Sequence, residues 1–93
     1  MSPTEPTGAE TITVTIRTPA GIAHDFEVRG HDRVDQTVRT ALDHFVARLH
    51  LAVGNYGLVL IREGQAMEMP DTARLDDFSI VDGDVLALIS RDL

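Results

Sequence analysis

Ninety-three residues, 43% of them apolar, with no cysteine and a formal net charge of −7, suit one core that buries roughly 60–65% of the unfolded surface without covalent staples. The missing cysteine excludes disulfides, thiolate metal sites and a cysteine nucleophile. The acidic balance, with Phe26, Phe45, Tyr56 and Phe78 as the only aromatics, argues against a nucleic-acid partner, since there is neither a basic stripe nor a base-stacking platform.

All eight basic residues are arginine, so no side chain can serve as a Schiff-base amine or an isopeptide acceptor. No apolar run approaches the ~18 residues of a membrane span, and "MSPTEPTGAE" lacks the basic start and apolar core of a signal peptide. The expectation is a cytoplasmic protein without membrane insertion.

Residues 1–9, with two prolines, a glycine and no apolar run, read as a flexible N-terminal tail, and residues 10–93 as the domain. "TITVTIR" alternates strictly, placing Ile12, Val14 and Ile16 on one face of a half-buried strand. "TPAG" breaks it: Pro19 presets a turn and Gly21 allows a positive φ, so a tight hairpin is expected. The return strand "IAHDFEVR" should carry Ile22, Phe26 and Val28 inward. His24 shares their parity, and is expected to find a hydrogen-bond partner rather than a metal.

In "DRVDQTVRTALDHFVARLHLAVG" the residues Val34, Val38, Ala41, Leu42, Phe45 and Leu49 recur at spacings of three and four, so they line one side of a helix. Asp32 is the expected N-cap, Asp35 adds negative charge to the first turn, His50 sits near the negative end, and Gly54 offers the left-handed cap. "YGLVLIREGQAMEM" reads as a strand, a turn at Glu63-Gly64 and a short return that Pro70 ends. The sparse apolar residues Leu75, Phe78 and Ile80 predict a wrapped loop with a short helical turn, and Asp82-Gly83 makes a turn into the last strand.

Chemistry-bearing constellations are few. His24-Asp25, His31-Asp32 and Asp43-His44 are adjacent pairs, but no serine stands in a nucleophile-type turn. Asp76-Asp77 and Asp82-Gly83-Asp84 lack the alternating ligands and terminal glutamate of a calcium loop, and His44 and His50 are six apart, a poor spacing for zinc on one helical face. The expectation is a protein that is not an enzyme, with no catalytic residue, metal or cofactor.

The run Leu75, Asp76, Asp77, Phe78, Ser79, Ile80, followed by a turn and an apolar strand, resembles without a gap the ubiquitin pattern of leucine, small or acidic residue, aspartate, aromatic, spacer and isoleucine. Together with the hairpin "TITVTIRTPAGIAHDFEV" and the helix at its expected distance, the chain from Glu10 onward resembles the ubiquitin-like β-grasp family. Phe78 stands where that pattern usually has tyrosine, so a hydroxyl contact to backbone is missing. The resemblance implies an α+β, ubiquitin-like β-grasp fold: a mixed sheet of four to five strands, its first and last strands parallel at the centre, with one helix packed across one face. On that architecture Leu58, Leu60, Leu86 and Leu88 face the helix. Val59, Ile61, Val85, Ala87 and Ile89 then form an apolar outer face, with Pro19 near it.

A sheet face of that kind marks a binding surface. Cover by the N-terminal tail or by a homodimer partner is the other account. Members of the family are usually read by partners through this face. The resemblance therefore implies a non-enzymatic bacterial ubiquitin-like protein that docks onto protein partners, as the YukD-like proteins of type VII secretion loci do, with secretion-system components among the partners. A second implied role is a modifier joined covalently to targets by a bacterial conjugation system. That role needs a slim Gly-Gly terminus where this chain has Asp92 and Leu93, so Leu93 would be the conjugation terminus. A sulfur carrier has the same requirement. Docking is the expectation taken forward.

Overall fold

A computed structural model describes residues 11–92; the expectations for residues 1–9, Glu10 and Leu93 fall outside the described residues. The alternating stretch Thr11–Arg17 forms β1 and Ala23–Arg29 forms β2, paired antiparallel from Thr11↔Arg29 to Arg17↔Ala23. The turn between them closes through the Gly21 N–H to the Thr18 carbonyl (2.9 Å), with Gly21 at φ +93°, where a side chain would be strained. Ile22 departs from expectation. It lies before β2 and is 37% exposed, because its N–H and carbonyl are both engaged by Thr18 in the hairpin closure.

Helix α1 spans Val34–Ala47 and buries Val34, Thr37, Val38, Ala41 and Phe45 against the sheet. Its N-cap is Arg33, not Asp32. Asp32 is spent elsewhere, since its carboxylate accepts the Arg29 N–H at 2.9 Å. The first helical N–H groups are instead taken up from outside the helix: those of Val34 and Asp35 donate to the carbonyls of Ala73 and Asp71. A distant loop thus does the work of a cap, which no local pattern signals. The left-handed residue at the other end is Leu49 (φ +60°), not Gly54, and the His50 N–H returns to the Phe45 carbonyl (2.9 Å). Leu49, expected on the apolar side of the helix, is therefore 92% exposed.

Strands β3 (Tyr56–Arg62) and β4 (Gln65–Met69) pair antiparallel around Glu63-Gly64, both at positive φ, the arrangement of a type I′ turn. A 3₁₀ turn at Leu75–Phe78 anchors the wrapped loop through the fully buried Leu75, and Ile80 follows it into the core. The last strand, β5 (Val85–Ser90), runs parallel to β1 and antiparallel to β3. The sheet order is β2-β1-β5-β3-β4. This is the expected α+β arrangement, with the helix across one face of a mixed, five-stranded sheet. The core holds Leu58, Leu60, Leu86 and Leu88 with Val14, Ile16, Phe26 and Phe45. No helix among the described residues is long and apolar enough to cross a membrane.

Candidate docking surface

Because Leu58, Leu60, Leu86 and Leu88 are committed to the core, the pleat turns their neighbours to the opposite side of the sheet. The strand register assembles those neighbours into rows. Val59 lies opposite Ala87, Ile61 opposite Val85, and Ile89 opposite Gly57. On the flank toward β1, Thr15 is level with Val85 and Arg17 with Ala87. Toward β4, Ala66 is level with Ile61 and Glu68 with Val59. The outcome is an apolar strip two strands wide, bordered by Thr15 and Arg17 on one side and by Ala66 and Glu68 on the other.

Exposure along the strip is uneven. Ile61, Val85, Ala87 and Ile89 are half-buried, while Val59 at its centre is 8% exposed. Val59 belongs to this outer strip and not to the helix-side cluster. Pro19 is exposed in the hairpin turn, two residues past Arg17. The register thus brings the sequence-derived residues Val59, Ile61, Val85, Ala87 and Ile89 together on one face, while Pro19 lies outside the paired strands, in the β1–β2 turn.

One rim residue was missed by sequence reasoning. Arg91 continues the outward parity of Ile89 and lies against the backbone of Gly57, where a Cβ would sit 2.5–2.7 Å from its guanidinium. The guanidinium is held by Asp71 at 2.9 Å and Glu68 at 3.6 Å, and the Asp71 hydrogen bond raises its pKa. The usable signal was Gly57 itself, since glycine inside a strand often marks close approach of another group. The backbone beyond β5 is also tied down: the Arg91 N–H donates to the Asn55 carbonyl (2.8 Å), and the Asp92 carboxylate accepts the Asn55 N–H (3.0 Å).

At the other end of the strip Arg62 forms a two-pronged pair with Asp84 (2.6 and 3.2 Å) and donates to the carbonyls of Phe78 and Ser79. The hydrogen bond from Arg62 lowers the Asp84 pKa.

The histidines are placed differently from expectation. The His24 ring stacks on His44 of the helix with centroids 3.9 Å apart and meets Phe26 edge-on, so its environment is aromatic. Desolvation lowers the His44 pKa, and the charges of Arg48, His24 and His50 add to the effect. Among the described residues no group of three or more His, Cys, Asp or Glu side chains is placed to hold a metal ion.

No protein-family model matches the chain. No curated protein matches it either. Among solved structures it is similar to a de novo designed protein based on ubiquitin (TM-score 0.70, 20% identity, 92% of this chain and 95% of that one). It is also similar to the ubiquitin of Caldiarchaeum subterraneum (TM-score 0.65, 22% identity, 90% of this chain and 98% of that one). The fold is therefore the ubiquitin-like β-grasp.

Proposed function

We propose that this ubiquitin-like protein is non-enzymatic and works by docking onto a protein partner through the outer face of its sheet. The observation that carries the reading is the strip of Ile61, Val85, Ala87 and Ile89 around Val59, on the face away from the helix. Both sides of β3 and β5 are apolar although the helix packs on only one side, and apolar area left half-covered in a rim of charges is the composition of a recognition patch. Pro19 and Arg17 extend the patch on the β1 side.

The test uses Ile89→Asp and Ile61→Asp. Each is expected to leave the melting temperature within a few degrees of the parent and to abolish partner recovery from native cells. A carboxylate in a face that is internal costs several kcal/mol, so strong destabilisation would show that the strip is covered within the molecule. Recovery of tagged protein under denaturing conditions separates docking from covalent attachment. Adducts of higher mass that survive denaturation would count for a bacterial modifier, and a partner seen only under native conditions counts for docking.

A further inference from the structure

The outward side chains of β1, β5, β3 and β4 line up in rows across the sheet. One row reads Arg17, Ala87, Val59 and Glu68, all on the face away from the helix. The next reads Thr15, Val85, Ile61 and Ala66. The first row is therefore apolar in the middle and oppositely charged at its two ends, which lie roughly 14 Å apart at a strand spacing of about 4.8 Å. Arg17 is exposed and forms no ion pair among the described residues. The Glu68 side chain is 63% exposed and stands 3.6 Å from Arg91, which Asp71 holds more closely at 2.9 Å. Both end charges are open to a partner.

A row of that polarity is complementary to its own reverse. A two-fold axis in the plane of contact, running along the strands between β5 and β3, reverses each row in the copy. Arg17 then meets Glu68 of the second copy, Ala87 meets Val59, and Val85 meets Ile61, each contact occurring twice. An axis across the strands would keep the row order and set Arg17 against Arg17 and Glu68 against Glu68, which like-charge repulsion disfavours. Sheets stacked face to face keep their strands within about 30° of each other and lie about 10 Å apart, a gap that facing arginine and glutamate side chains span. We infer that the outer strip is occupied by a second copy of this chain, in a two-fold pair of facing sheets held centrally by apolar contact and at both margins by Arg17–Glu68 ion pairs. The inference rests on reading the strip as a docking surface, and it names the partner. The net charge of −7 works against self-association, but the facing rows are neutral, with one arginine and one glutamate in each copy.

The experiment follows the mass of the purified full-length chain by sedimentation equilibrium over a range of concentrations. The mass is expected to rise from that of one chain to that of two. Arg17→Glu sets glutamates opposite each other at both margins, and Glu68→Arg sets arginines there; each should weaken association about tenfold, the scale of two exposed ion pairs turned repulsive. The double variant Arg17→Glu, Glu68→Arg restores the pairing with its signs exchanged, and should bring the dissociation constant back to the parent's. A role within one chain would not be rescued in this way, because the two residues stand at opposite ends of the row. Ile61→Asp places a carboxylate opposite Val85 of the second copy, and should give the mass of one chain at every concentration with the parent's melting temperature. A parent that is single at every concentration, association that survives Ile61→Asp, or equal association of all the charge variants would overturn the inference. A single parent that loses another protein from native cells on Ile61→Asp would remove the second copy and leave the docking reading standing. Strong destabilisation by Ile61→Asp would remove both.

Discussion

Leu49 combines two local costs: a φ of +60° at a residue with a Cβ, and a side chain 92% exposed. A left-handed conformation costs an L-residue about 1–2 kcal/mol, most of which glycine avoids. Leu49→Gly should therefore raise stability by about 1 kcal/mol, seen as a higher denaturant midpoint with an unchanged slope. Gly54 was the more legible cap in the sequence, and it lost because the chain turns within two residues of the helix end. The pairing of His24 with His44 was equally hidden, since stacking between a strand and a helix leaves no mark on spacing. Its effect has a definite sign. The folded pKa of His44 lies below the ordinary 6.5 because burial disfavours the cation. The unfolded chain then binds more protons in that window, so stability is fully present above about pH 6.5 and falls as pH drops toward the folded pKa. His44→Gln should flatten the dependence of the unfolding free energy on pH below 6.5, measured by denaturation across pH 5–7.5; an unchanged slope would assign it to other groups.

The strands were legible because period-two alternation is a statement about which side of a sheet is covered. "TITVTIR" and the Glu63-Gly64 turn could be placed from the chain alone, and the positive φ at both turn residues is the backbone such a pair favours. Element ends were less legible wherever their hydrogen bonds come from elsewhere in the chain. The helix start rests on carbonyls of Asp71 and Ala73, and the wrapped segment rests on Arg62. Arg62 joins β3 to that segment through Asp84, whose carboxylate also accepts the Val81 N–H (2.9 Å). Asp84→Ala should cost about 1–2 kcal/mol, in the range of lost hydrogen bonds to a charged group, with hydrogen exchange speeding up first at Val81 and Ser79. The Asp84 pKa is depressed in the fold, so its contribution is present above the ordinary 3.8 and disappears as pH falls through the folded value. Part of the parent's acid sensitivity should vanish with it. Uniform loss of protection across the sheet would instead show that the pair is not a local clasp.

For the whole molecule, the apolar strip was legible because β5 reads as apolar on both faces, and a single helix covers one. What closes its margins was not, because Arg91, Gly57, Glu68 and Asp71 are neighbours only once β5 has been inserted between β1 and β3. That insertion has a further consequence. Residues 11–29 and 56–69 are each a hairpin, and within the sheet they are joined only through residues 85–90. Both hairpins are synthesised before the strand that unites them. Until Val85 to Ser90 are in place, β1 and β3 each lack the neighbour that β5 supplies. The sheet is therefore complete only once β5 has inserted, and until then the edges of β1 and β3 stand open to foreign strands.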